Sequence, residues 1–478
     1  MDNNRAAQVI EGFQAFFAGT GVDTSVLDLF QQVAATVPAY RKFLAERGIN
    51  PAAVTTMADF HALPLIDKDN YHRSYPLPEL CRDGRLDGCD MVAVSSGSSG
   101  QPTVWPRSLT DELHIARRFE QVFRTFQAHE RSTLAVVCFP LGTWVGGLFT
   151  TACVRHLAAK GFPITVVAPG NNKAEILRVL PELACHFDQV VLLGYPPFVK
   201  DVVDTGLAAG FDWSRHDVKL VLAGEVFSEE WRDLVGQRLG MADPVTASAS
   251  LYGTADAGVL GNETPLSVTT RRFLAGRPDL AKELFGDSRL PTLVQYDPSS
   301  RYFEVDNGTL LFSGDNGAPL IRYHIADTGG VVSSMDMRDF LVRNGFTPDF
   351  DNDLPFVFVF GRSLFTVSFF GANIYPENVT VGLEQSGISD WVTGKFVLET
   401  VSDADENTQL QVTVELAPGK TGNPDTLAAA IRDQLLRLNS EFAHYVPAER
   451  QLPQVILRPA GDPDHFPVGV KHRYTRAS

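Results

Sequence analysis

The stretch "VSSGSSGQPTVW" (residues 94–105) directly follows the apolar run "MVAV" (91–94). Six small hydroxyl or glycine residues in succession suit neither a core nor a helix. Where a strand runs into such a loop, several backbone N–H groups turn toward one point and form a nest for an anion. The hydroxyls of Ser95, Ser96, Ser98 and Ser99 add further donors. The pattern GxxxxGK[ST] is absent, so this is not a Walker loop. A serine–glycine run read alone is equally a flexible linker, although a linker is out of place between a buried strand and "TVWP". The residues by themselves leave both readings open.

Outward from this loop the texture is that of an α/β protein. The segments "CDMVAVSS", "TLAVVCF", "PITVVAP", "QVVLLG" and "VKLVLAGE" read as strands. Between them, "LTDELHIARRFEQVFRTFQA", "AEILRVLPELACHF", "PPFVKDVVDTGLAAG" and "SEEWRDLVGQRLG" carry helical periodicity. Such alternation predicts a mostly parallel sheet covered by helices on both faces. Residues 5–48 read as helical. From 292 to 360 strands follow one another without long helices, which predicts an antiparallel, β-rich subdomain. After "GRS" (361–363) a strand, a helix, paired strands and a long helix predict a small α+β unit. The expected division is therefore 1–361, a large domain, and 362–478, a small mobile C-terminal domain.

The chain has 478 residues, 44% hydrophobic and 21% charged, with a formal net charge of −16. That balance is ordinary for a globular protein. The negative charge argues against nucleic acid or an anionic membrane as the main partner. The N-terminal residues are polar and do not read as a secretory signal. The longest near-apolar run, 139–154, is too short to span a bilayer. Five cysteines without a CxxC pair argue against a disulfide framework or zinc knuckle, and a reduced, cytoplasmic setting is expected. The histidines show no metal-binding spacing.

Several segments together resemble the adenylate-forming superfamily, closest to its phenylacetate–CoA ligase branch. The loop at 94–105 looks like that superfamily's phosphate-binding loop. "VPAYRKFLAERGINPAAVTTMADFHALPLIDKDNYHRSYP" (37–76) is similar to the branch's N-terminal segment, and "FPLGTWVGG" (139–147) to its substrate segment. "LAGEVFSEEWR" (222–232) resembles the adenine-side strand and turn. "LYGTADAG" (251–258) resembles Tyr-Gly-x-Ser/Thr-Glu, and "PLIRYHIADTGG" (319–330) the Ile-Arg-Tyr-…-Asp segment. "GRSLFTVSFFGANIYPENV" (361–379) resembles the interdomain hinge. Besides the loop, these six matches stand in the family's order along nearly the whole chain.

The resemblance implies attack of a carboxylate on the α-phosphate of ATP, then transfer of the acyl group to the thiol of CoA. ATP, Mg²⁺ and CoA are the implied cofactors, and a small aromatic (aryl or arylacetic) acid the implied substrate. In that reading Ser95, Ser96, Gly97, Ser98, Ser99, Gly100 and Thr103 cradle phosphates. Glu225, Ser250, Leu251, Tyr252, Gly253 and Thr254 face the nucleotide, with Tyr252 near the adenine. Asp256 takes the place of the Mg²⁺-binding glutamate, Asp327 accepts the ribose hydroxyls, and Arg362 lies near ribose and phosphates. Lys471 in "PVGVKHRY" stands for the lysine that stabilises the adenylation transition state. Phe139 and Trp144 are implied pocket walls, with Gly146 and Gly147 leaving room; as residues, they also read as a helix start packed in the core.

The chain departs from the family pattern at several places. Asp256 is one methylene shorter than glutamate, Ala255 stands where Ser or Thr is usual, and Ser250 replaces an acidic or amide residue. Val470 separates Gly469 from Lys471. Leu364 and Phe365 follow Arg362-Ser363, where the family has hinge aspartates. These departures keep other outcomes open: adenylation for amide formation or carrier-protein loading, or an impaired nucleotide-binding relative. The expected assembly is a monomer or homodimer.

Overall fold

A computed structural model describes residues 3–19, 25–94, 103–143, 145–224, 226–361, 367–369, 372–402, 408–439, 442–443, 446, 448–467 and 472–475. The chain is a mixed α/β protein, as its alternating pattern predicts. It divides into two compact units.

The first unit comprises Met1–Gly170, Ala249–Thr270 and Pro291–Gly361. Its strands are β1 (Met91–Val94), β2 (Val104–Arg107), β3 (Thr133–Val137), β4 (Ile164–Val167), β7 (Ser248–Thr254), β8 (Gly258–Asn262), β9 (Thr292–Gln295), β10 (Arg301–Asp306), β11 (Thr309–Gly314), β12 (Leu320–Val332) and β13 (Phe356–Gly361). β3 and β4 pair in parallel. The strands of 292–361 are antiparallel in the order β10-β11-β12-β13-β9, continuing into β8 and β7. One expectation fails here. A helix, Ser334–Arg343, interrupts the β-rich stretch, its first turn closed by Ser333 accepting from the Asp336 N–H.

β1 and β2 form an antiparallel hairpin in which Val94 lies opposite Val104. The two ends of the serine–glycine run are thus neighbours. The segment between Val94 and Val104 therefore joins two paired strands of one unit, not two units. The same unit holds an aromatic and aliphatic core. Phe30, Tyr40, Phe43, Phe60 and Tyr71 of the N-terminal helical segment pack with Trp105, Phe312, Ile321 and Tyr323. The N-terminal segment is fastened to β12 by backbone as well. The Ile66 N–H donates to the Arg322 carbonyl, and the His324 N–H to the Ile66 carbonyl.

The second unit comprises Asn171–Ser248, Arg271–Leu290 and Arg362–Ser478. β5 (Gln189–Gly194) and β6 (Asp217–Ala223) pair in parallel. β14 (Val367–Phe369) and β15 (Ala372–Ile374) form a short hairpin. β16 (Val392–Ser402), β17 (Thr408–Leu416) and β18 (Gln454–Arg458) form a sheet with one antiparallel and one parallel pairing. Helices Pro376–Leu383 and Pro424–Leu438 cover it, burying Val379, Leu383, Leu427, Ile431 and Leu435 against Phe396, Leu398, Val412 and Val414. Among the described residues no helix is long and apolar enough to cross a membrane.

Candidate active site

β7 and β12 carry several of the residues singled out in the sequence. β7 ends in the "YGTAD" turn, closed by the Ala257 N–H donating to Thr254 Oγ1 at 3.1 Å. Ser250 and Leu251 lie buried inside β7. The Ser250 N–H donates to Glu263 Oε2 at 2.7 Å, so this serine is held by a neighbouring strand's carboxylate. Gly253 is exposed, and a Cβ there would lie 2.7 Å from the Gly258 carbonyl oxygen, so only glycine fits.

Tyr252 and Asp327 meet. The Tyr252 hydroxyl donates to Asp327 Oδ2 at 2.8 Å, both side chains being buried. Asp327 does not begin a turn; it lies within β12, just after Ala326, whose φ of +65° is left-handed. The ladder with β11 and β13 shifts register around it. The local kink turns a strand aspartate toward the tyrosine.

Asp256 is buried and engaged on both oxygens. Tyr323 of β12 donates its hydroxyl to Oδ2 at 2.6 Å. Lys68 places its ammonium 3.1 Å from Oδ1. Lys68 also lies 5.7 Å from the centre of the Trp105 ring, within cation–π range. His72 packs on the same indole with ring centres 3.9 Å apart. Burial drives the His72 pKa down to about 4, against the pull of the Asp256 carboxylate, so at neutral pH it is an uncharged ring.

A second charge cluster braces the same turn. Arg107, at the end of β2, donates to the Ala255 carbonyl at 2.5 Å and pairs with Asp111 at 3.1 Å. Asp111 also pairs with Arg301 at 2.8 Å. Desolvation lowers the Arg107 pKa while Asp111 opposes it. The carboxylate between two guanidinium groups keeps this buried cluster from carrying an unpaired charge.

Of the other expected residues, Thr103 is buried just before β2. Phe139 is buried at the end of β3, and Gly146 starts the helix Val145–Ala159 with its Cβ position 3.6 Å from the Phe139 side chain. Gly147 is tighter: a Cβ would fall 2.3 Å from the Pro140 carbonyl oxygen. These three positions pack the helix start onto β3. Ser95, Ser96, Gly97, Ser98, Ser99, Gly100, Trp144, Glu225, Arg362 and Lys471 lie outside the described residues.

Sequence reasoning missed Lys68, His72 and Tyr323. The signal near Lys68 was the cap in "IDKDNYH": Asp67 accepts from the Asp69 and Asn70 N–H groups while Asn70 returns the bond, fixing the short turn Lys68–His72. The donor set also bears on Mg²⁺. Both Asp256 oxygens are occupied, and no group of three His, Cys, Asp or Glu side chains forms a metal site among the described residues. A divalent ion held by Asp256 would stand beside the Lys68 ammonium, a repulsive neighbour for it.

No protein-family model matches the chain. It is 24% identical over 208 residues to the phenylacetate-coenzyme A ligase of Pseudomonas putida, covering 43% of this chain and 44% of that one. It is 24% identical over 294 residues to the enzyme of the same name from Thermus thermophilus, covering 61% and 60%. The chain thus matches less than two thirds of the length of either relative. Among solved structures, 2-hydroxyisobutyryl-CoA ligase in the postadenylation state with R3-HIB-AMP superposes with a TM-score of 0.64 at 15% identity, covering 95% of this chain and 88% of that one. Its open conformation with 2-HIB-AMP and CoA gives 0.53 at 15% identity, covering 95% and 91%. The chain therefore shares the fold of 2-hydroxyisobutyryl-CoA ligase, and the curated proteins it is similar to are phenylacetate–CoA ligases.

Proposed function

We propose that this chain activates a small carboxylic acid with ATP and passes the acyl group to CoA. The observation that carries the reading is the buried Tyr252–Asp327 contact. It joins two distant motifs into an aromatic ring beside an acceptor-only carboxylate, the pair of groups that an adenine and a ribose diol require. In the first half-reaction a carboxylate oxygen bonds to the α-phosphorus and the bond to the bridging oxygen of pyrophosphate breaks. In the second, a thiolate sulfur bonds to the acyl carbon and AMP leaves. The loop 95–103 supplies backbone N–H and hydroxyl donors for the phosphates, and Lys471 the cation for the first transition state. No step is assigned to a metal at Asp256.

An aromatic acid is the proposed substrate class, because Phe139 and Trp144 border the segment that resembles the family's substrate segment. Leu364 and Phe365 at the hinge favour a second reading, in which the adenylate passes to an amine or a carrier thiol without rotation of the C-terminal part.

The test is ATP–pyrophosphate exchange with a panel of aryl acids, followed by detection of the CoA thioester. Exchange with thioester supports the main reading, and exchange without thioester the second. Absence of exchange with every acid defeats both. Asp327→Ala should weaken ATP binding by about tenfold or more, since it removes a charged acceptor worth about 1.5–3 kcal/mol. Lys471→Ala should abolish exchange while leaving ATP binding in place.

A further inference from the structure

The Asp256 carboxylate sits between one cation and one hydroxyl that the same local framework delivers. Ile66 bridges in parallel to Tyr323, so the N-terminal segment runs beside β12 at the residue whose hydroxyl reaches Asp256. Two residues later Lys68 leaves the Asp67 cap and reaches the other oxygen. Its side chain is 26% exposed and that of Asp256 2%. Trp105 contacts both partners of the arrangement: Lys68 lies toward its ring, and Tyr323 meets it edge-on with centres 6.2 Å apart. Arg322 secures the approach, adopting a left-handed φ of +49° while its guanidinium donates to the Leu63 carbonyl and pairs with Glu304.

We infer that Lys68 is the resident counter-charge of Asp256, and that this carboxylate anchors the 63–75 segment to the "YGTAD" turn in place of ligating a divalent metal. A metal at Asp256 would have to share oxygens that already accept from an ammonium and a hydroxyl, and would stand beside that ammonium, a repulsive neighbour for a divalent ion. The pair is neutral as built, so in a chain of net charge −16 it leaves the turn without local excess negative charge. Asp256 and Lys68 are positioning residues in this account. The inference concerns the charge arrangement and stands whether or not the chain forms an adenylate.

The experiment uses the full chain and the variants Asp256→Asn, Lys68→Met, the double variant, and Lys68→Arg. Urea unfolding midpoints form a double-mutant cycle. Each single replacement should lower the midpoint, the double should fall no further than the worse single, and Lys68→Arg should recover most of the loss. Mn²⁺ binding is then titrated by electron paramagnetic resonance in the presence of β,γ-methylene-ATP. Asp256→Asn should leave the Mn²⁺ affinity within about twofold of the parent, because its carboxylate is not a ligand. Additive losses in the cycle would overturn the inference. So would a weakening of Mn²⁺ binding by about tenfold or more in Asp256→Asn, the cost expected for a lost ligand.

Discussion

Arg107 is 1% exposed, and its guanidinium is divided between the Asp111 carboxylate and the Ala255 carbonyl. Arg107→Met should cost about 3–5 kcal/mol, because it strips partners from a buried carboxylate and a carbonyl at once. Chemical unfolding of the variant checks this; a loss below about 1 kcal/mol would mean that the cluster is dispensable. His72 gives a pH signature. The unfolded chain takes its proton near pH 6.5 and the folded ring only near 4, so its contribution is complete above 6.5 and fades as pH falls through that window. The fade amounts to about 3 kcal/mol. His472, its pKa also about 4 by burial, shares the window. His72→Phe should therefore flatten, not abolish, the fall in melting temperature between pH 7 and 4.5. An unchanged slope would show that His72 is not the group responsible. At this scale the sequence was only partly legible. Tyr252, Asp256 and Asp327 stand in motifs, whereas Lys68 stands in none and gains meaning only when Ile66 joins β12.

The helix Val145–Ala159 begins against the backbone that precedes it. Gly147→Ala would put a methyl 2.3 Å from the Pro140 oxygen, and backbone cannot yield as a flexible side chain does. The helix start should shift, with a stability loss of about 1–3 kcal/mol, whereas Gly146→Ala should be nearly neutral because its Cβ position makes ordinary contact. Comparing the two melting temperatures tests the assignment, and equal losses would contradict it. Element type was the most legible level. Buried strands β3 and β5 are nearly continuous apolar runs, β6 ends in one, and the helices between them carry regular periodicity. Among the described residues, three helices of eight or more residues were not anticipated: Pro265–Ala275, Pro278–Phe285 and Ser334–Arg343. In "SMDMRDFLVR" only Met337, Phe340 and Leu341 of the apolar residues are buried, and the Ser333 cap carries the start. The bend that directs Asp327 was also invisible, since a positive φ at Ala326 has no marker in an alanine.

Across the molecule, the second unit gathers three separate lengths of chain, and a polar contact fastens two of them. Ser228 caps the helix Glu229–Leu239 and hydrogen-bonds Glu384 at the end of the helix Pro376–Leu383. Burial pushes the Glu384 carboxyl up to about 8, with Glu230 adding to the rise and Ser228, Lys200 and Arg271 opposing it. The folded form thus holds a proton that the unfolded chain releases near 4.5. The stabilisation is whole below that pH and is lost as pH rises toward 8. Glu384→Gln should raise the melting temperature at pH 8.5 and change it little at pH 5; a lower value at pH 8.5 would refute the assignment. The joining of residues 171–248 and 271–290 with 362–478 could not be read from changes in texture, because it rests on contacts between distant segments. The tie between Ile66 and Tyr323 has a consequence during synthesis. Lys68 leaves the ribosome long before Tyr323 is made, a delay on the order of ten seconds or more at roughly 5–20 residues per second. Throughout that interval the aromatic N-terminal segment has no strand to lie against, so a nascent chain arrested before β12 should recruit chaperones that one arrested after it does not.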